Sequence, residues 1–292
     1  ADRAILSSTI MGVFKKVSDT PWGVQMEETM EKTLLALLET QRNATMYSIY
    51  NFMTDIDFRE KALIGVKDSI TRRFWQQFDE KKETEQAKVM EAPLRRLGKF
   101  LGSPLVRNIV SQPHSTVKFR QFMDSRKIIL INLSTGTLGE ENASLMGALF
   151  VSMSWRAAAS RRDTPEPKRI PTYFWIDEFQ NYVTPEISSI LAEARKFGLG
   201  MCFANQFYQQ VVDGSPLVAA AIKGNCGSKF TYKLSSPDDI SLMLAMFGEP
   251  LTKRDLNTLP KFTLYTRMMS GKEVTPPFTL LAPKPRGLPQ DD

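Results

Sequence analysis

The chain has 292 residues, enough for one large core or two domains, with 42% hydrophobic and 24% charged residues. That composition excludes a disordered or fibrous polypeptide, and no apolar run approaches the roughly 20 residues of a membrane-spanning helix. The 38 Lys and Arg against 32 Asp and Glu give a net charge of +6, compatible with nucleic acid without singling it out. Residues 1 to about 20 read as a helix of the core. From 21 to 112 the pattern is helical throughout. Met26, Met30, Leu34 and Leu38 recur at i, i+4 over 26–39, and Phe74, Trp75 and Phe78 mark the buried side of a long helix over 67–91. A shorter helix starts at Pro93, breaks at Gly102-Ser103-Pro104 and resumes over 105–110. His114, the single histidine, follows in a loop without Cys or acidic partners for a zinc site.

From Lys127 the character changes to alternating strands and helices. The run 127–133 predicts a strand, with Ser134, Thr135 and Gly136 at its end, and a Leu-, Met- and Ala-rich helix follows over 140–161. A basic loop carrying Arg161, Arg162 and Lys168 leads to a strand over 171–176, whose consecutive bulky residues predict burial on both faces. That strand stops at Asp177-Glu178. Adjacent carboxylates at the C-terminal tip of a buried strand suit a nucleotide site: one holds Mg²⁺ through water, the other orients or deprotonates the attacking water. The competing reading is a strand running into an acidic helix start. Thr184-Pro185-Glu186 is a hydroxyl cap, a first-turn proline and an acid, and the helix it opens closes at Arg195-Lys196 before Gly198. A second apolar run, 199–204, ends in Asn205-Gln206. The two strands and their helix make a βαβ unit with polar groups at both tips, where ligands of open parallel sheets bind. Further on, the pattern predicts a helix near 216–223, a strand over 228–233, and a helix opened by Ser236-Pro237-Asp238-Asp239. A terminal hairpin runs over 262–281 around Ser270-Gly271-Lys272, with Pro276 and Pro277 suiting an edge strand, and 283–292 form a loose end. Cys202 and Cys226 lack CxxC spacing and read as free, buried thiols.

The stretch YFWIDEFQNY…ILAEARKFGLGMCFANQ resembles the Walker B to sensor region of the conjugative coupling ATPases, in the FtsK/HerA branch of P-loop NTPases. Upstream, KIILINLSTGTLG is similar to that family's strand, S-x-G-x-x-G and long-helix segment. Phe14-Lys15-Lys16-Val17 and Pro21-Trp22-Gly23 look like the helix before its all-helical insert. The resemblance implies an α/β fold: a RecA-like core with a mostly parallel central sheet, an all-α insert and a C-terminal β-hairpin. Residues 1–20 and 113–292 would belong to the core and 21–112 to the insert. One departure stands out. No G-x-x-x-x-G-K-[ST] phosphate loop occurs, and Gly224-Asn225-Cys226-Gly227-Ser228-Lys229 has the wrong spacing and leads into a strand. In the family that loop precedes the segment matching Ala1, so the chain reads as the C-terminal part of a motor that does not hydrolyse ATP alone.

The resemblance also assigns roles. Asp177 would be the Mg²⁺-water ligand, Glu178 the group that polarises water, and Gln206 the polar sensor. Arg195 would be an arginine donated to the next subunit's site; its alternative is a cation on the helix dipole. Ser134, Thr135 and Gly136 would line the ATP site. Arg161, Arg162, Lys168 and Lys223 would face DNA, gripped through phosphates regardless of sequence, or else be solvated surface charges. The implied protein is a hexameric, ATP- and Mg²⁺-dependent motor of conjugative type IV secretion. It would work in the cytoplasm, at the inner face of the membrane where an N-terminal anchor exists, with relaxase and secretion-channel proteins as partners. The alternatives are a genome-packaging or chromosome-processing translocase of the same branch, and a non-hydrolysing DNA-binding scaffold.

Overall fold

The computed structural model describes residues 2–16, 22–184, 186–271 and 273–283. Val17, Pro21, Pro185, Lys272 and the tail from 284 onward, all invoked above, lie outside the described residues. Cα packing divides the chain into two units: Ala1–Thr172 with Lys196–Leu199, and Tyr173–Arg195 with Gly200–Asp292.

The first unit is helical: α1 (Asp2–Lys16), α2 (Val24–Thr40), α3 (Met46–Thr54), α4 (Ile56–Ile64), α5 (Ser69–Asp79), α6 (Glu83–Leu101), α7 (Pro104–Val110), α8 (Phe119–Asp124), α9 (Thr135–Leu138) and α10 (Glu140–Ala159). One apolar cluster joins α1 and α10 to the helices between them, through Phe14, Leu37, Phe52, Trp75, Leu97 and Met146. Trp75 is fully buried, with the edges of Phe52, Phe74 and Phe78 around it at 4.9–5.2 Å between ring centres. The Arg59 guanidinium lies over Trp75 and Phe78 and pairs with Asp79, so its stem packs in the core while its charge is met at the rim.

Local readings need three corrections here. On α2 the buried partner of Leu34 is Leu37, while Leu38 is only half-buried. The long helix expected over 67–91 is two, α5 and α6. The Gln86 amide lies 3.0–3.3 Å from the carbonyls of Phe78, Asp79 and Lys81, meeting acceptors that a helix C-terminus leaves open. Pro93 sits inside α6 and does not start a helix. The break at Gly102-Ser103-Pro104 is present, with Ser103 capping α7 through the Val106 N–H.

The strand expected over 127–133 does not form. Those residues have no ladder partner among the described residues. Ile128 and Leu130 are 91% and 92% exposed and Ile129 and Ile131 40% and 43%, and the run 129–131 borders a cavity of about 420 Å³ lined also by Ile109, Phe122, Met146 and Phe150. A strand needs a neighbour for its N–H and C=O groups, and here none is supplied.

The second unit carries β1 (Thr172–Ile176), α11 (Glu186–Glu193), β2 (Leu199–Phe203), α12 (Tyr208–Gly214), α13 (Pro216–Asn225), β3 (Lys229–Thr231), α14 (Pro237–Phe247), α15 (Lys253–Asn257), β4 (Thr263–Arg267), β5 (Met269–Ser270), β6 (Glu273–Val274) and β7 (Phe278–Leu281); the first residues of β1 and β2 count with the first unit. β1 and β2 pair in parallel: the Thr172 N–H donates to Gly198 O and the Ala204 N–H to Ile176 O, each at 2.9 Å. Three of the remaining strands form an antiparallel sheet in the order β3-β4-β7, and β5 and β6 pair as a separate two-stranded hairpin. Pro276 and Pro277 precede β7, which is an edge strand. Ser236 caps α14 through its side chain, and Pro237 occupies the first turn.

Candidate functional site at the strand tips

β1 alternates: Thr172, Phe174 and Ile176 are half-buried, whereas Tyr173 and Trp175 are 69% and 79% exposed. The expectation of burial on both faces is therefore corrected, since this sheet is two-stranded among the described residues and only one face is covered. The ladder with β2 resumes at Phe179, whose N–H donates to Ala204 O at 2.8 Å. Phe179 is fully buried, its ring centre 4.2 Å from that of Phe203. Between those anchors Asp177 and Glu178 leave the ladder, and Glu178 takes a left-handed backbone (φ 47°, ψ 46°), uncommon for a residue other than glycine. The turn thus pushes both carboxylates out of the sheet.

Glu178 accepts one hydrogen bond on each oxygen. The Gln206 Nε2, from the loop after β2, donates to Oε1 at 2.7 Å, and the Gln180 Nε2 donates to Oε2. Asp177 is exposed and accepts the Glu178 backbone N–H at 3.0 Å. No ion pair engages either acid among the described residues. Burial first, then the charges of Asp177 and Glu178, push the Tyr182 phenol above its ordinary value, so a neutral hydroxyl stays near the pair. Asp177, Glu178 and Gln206 are thus one cluster within the second unit. Gln180 and Tyr182 belong to it too, although sequence reasoning passed over them; the one available signal was their place in the polar tail behind the acid pair.

The other sequence candidates lie elsewhere. Arg195 is exposed on a 3₁₀ turn, Ala194–Phe197, not on the α-helix expected, because the last turn of α11 tightens. The Arg169 and Arg161 guanidinia donate to the carbonyls of Lys196 and Phe197, directly after it. Arg161 is a correction. It is fully buried, donating to Ile170 O (2.9 Å), Phe197 O (3.3 Å) and Thr172 Oγ1 (3.1 Å), with Nε 3.2 Å from Asp124, so it has no face to offer a phosphate backbone. Arg162, Lys168 and Lys223 are exposed. Ser134, Thr135 and Gly136 are exposed in the first unit, where they open the short helix α9 and end no strand; the Asn132 side chain accepts the Ser134 N–H at 3.0 Å. Gly224–Lys229 is the end of α13 and a bend into β3, with the Lys229 ammonium on Cys226 O at 2.6 Å. The Cys202 and Cys226 thiols are free, and burial pushes both above their ordinary value.

The donor set suits half of a Mg²⁺–nucleotide site. Mg²⁺ keeps most of its waters and takes one or two carboxylates beside phosphate oxygens, a place the exposed Asp177 carboxylate can fill. No cluster of three or more potential metal ligands occurs among the described residues, so an all-protein cage is not on offer.

The parallel βαβ unit with its strand-tip acids belongs to an α/β fold of the RecA-like kind. A family model described as the type IV secretion-system coupling protein DNA-binding domain matches residues 18–261, and the chain belongs to that family. Among solved structures it is similar to the bacterial conjugative coupling protein TrwBdeltaN70 in an unbound monoclinic form, with TM-score 0.63, 16% identity, and coverage of 96% of this chain and 69% of that one. It is likewise similar to the plasmid coupling protein TrwB in complex with ADP and Mg²⁺, with TM-score 0.65, 16% identity, and 97% and 70% covered. The TrwB complex with the non-hydrolysable GTP analogue GDPNP gives TM-score 0.63 and 16% identity over 96% and 69%. No curated protein matches. Family membership sets the chain in type IV secretion coupling, with DNA as a partner class. No helix among the described residues is long and apolar enough to cross a membrane.

Proposed function

We propose that the chain is the C-terminal ATPase portion of a ring-forming motor that moves DNA in conjugative type IV secretion. It would work in the cytoplasm at the membrane's inner face, handing DNA brought by a relaxase to the secretion channel. Residues 1–20 and 113–292 would be the core and 21–112 the insert. The observation that carries this reading is the 2.7 Å bond between Glu178 and Gln206, which joins two neighbouring strand tips around one carboxylate.

The TrwB complexes with ADP and Mg²⁺ and with a nucleotide analogue support ATP and Mg²⁺ as cofactors of this chain as well. When bound, Mg²⁺ neutralises charge on the phosphate oxygens. Asp177 holds that ion through water. Glu178, steadied by two amides and facing no cation, orients the attacking water and takes up its proton. Gln206 reports on the terminal phosphate. Arg195, exposed and followed by a gripped backbone, serves the neighbouring subunit's site, which makes the working form a hexameric ring. Arg162, Lys168 and Lys223 meet the DNA backbone. In the complete protein, Glu178→Gln should reduce DNA-stimulated ATP hydrolysis to background while nucleotide still binds; undiminished turnover would refute the assignment. A non-hydrolysing DNA-binding scaffold is the second reading, resting on the DNA-binding description of the matched family. It requires that the complete protein bind DNA without DNA-stimulated hydrolysis.

A further inference from the structure

The two amides on Glu178 differ in standing. Gln206 is exposed, on the loop between β2 and α12, where water competes for the same carboxylate oxygen. Gln180 is half-buried on a turn nailed down by Phe179, through its ring against Phe203 and its N–H on Ala204. The left-handed backbone of Glu178, with the Asn181 N–H donating to Glu178 O at 3.0 Å, folds the chain so that the side chain two positions on returns to the carboxylate. Its amide has one workable orientation. Nε2 faces Glu178, while Oε1 is buried without a donor among the described residues; the flipped amide would set oxygen against oxygen.

We propose that Gln180 is a positioning residue: it clamps the Glu178 carboxylate permanently, while Gln206 makes the exchangeable contact and can leave to follow the nucleotide. This deepens the reading of Glu178 as the group that orients water, and rests on it. With Gln206 turned away, Glu178 keeps one oxygen fixed and the other open to water. Without Gln180, each departure of Gln206 frees the carboxylate to rotate, and its geometry toward the water is lost.

The test uses the complete protein with DNA. Gln180→Met, which keeps the volume and removes the donor, should lower kcat about tenfold with the KM for ATP unchanged, the signature of an interaction used in the transition state. Gln180→Glu, which keeps the shape and turns a donor into a repelling carboxylate, should lower it further. It also serves as the second probe if the methionine variant folds poorly. In a Glu178→Gln background, where hydrolysis is already at background, neither change should weaken nucleotide binding, because the group being oriented is gone. Wild-type kcat in Gln180→Met, or weakened nucleotide binding when Gln180→Met is added to Glu178→Gln, overturns the proposal. If Glu178→Gln abolishes hydrolysis and Gln180→Met does nothing, the Gln180 assignment alone falls. If Glu178→Gln hydrolyses ATP normally, the parent reading falls and takes this one with it.

Discussion

Arg161 and Glu178 are two charged residues with opposite fates. Arg161, itself buried, spends its guanidinium on two carbonyls, a hydroxyl and the exposed Asp124, which fixes the end of α10 to the entry of β1 and to the turn after Arg195. Removing it leaves buried acceptors without a donor, so Arg161→Ala should destabilise the protein by about 3 kcal/mol, read as a fall in the denaturant midpoint. Arg162→Ala, on the exposed side of the same turn, should change stability by less than about 0.5 kcal/mol. Sequence alone could not tell these neighbours apart. A long side chain reaches several elements, and which of two adjacent arginines turns inward depends on packing between residues 124 and 197. The acid pair was legible because polarity changes abruptly where β1 ends. Gln180 was not, since its return to Glu178 depends on one left-handed residue that no pattern of hydrophobicity encodes.

At the level of elements, boundaries followed from caps wherever the capping chemistry was local. Ser103, Ser215 and Ser236 each start a helix through a side-chain bond to the N–H three residues on, with proline in the first turn. The split between α5 and α6 escaped notice because it is held by a glutamine on the second helix reaching the carbonyls that close the first. Gln86→Ala should therefore cost about 1 kcal/mol and loosen the α5–α6 connection, seen as faster amide exchange over 78–83 with the rest of the unit unchanged. Strand positions were easier to read than strand burial. The apolar content of 171–176 was plain, but its one-sided exposure depends on how many strands lie alongside, a property of the sheet and not of the segment.

For the whole molecule, the proposed separation of roles between Glu178 and Arg195 has a consequence for assemblies. If Arg195 serves a neighbour, complete proteins carrying Arg195→Ala and Glu178→Gln are each inactive, yet mixing them should restore part of the hydrolysis. Some sites then pair an intact glutamate with an intact arginine from the adjoining subunit. Recovery with the mixing ratio, measured as DNA-stimulated phosphate release, checks this; no recovery at any ratio removes Arg195 from a role in trans. DNA binding should also weaken steeply as salt rises, with similar affinity for unrelated sequences, because contacts of this kind release counterions and do not read bases.

The unpaired stretch around Ile128 and Leu130 carries a practical lesson for anyone producing these 292 residues by themselves. An extended backbone with branched aliphatic side chains standing in water is a template for stacking on its own kind. Such a preparation should therefore cloud as it is concentrated, and a single lysine in place of Leu130 should keep it clear without disturbing the helices beneath.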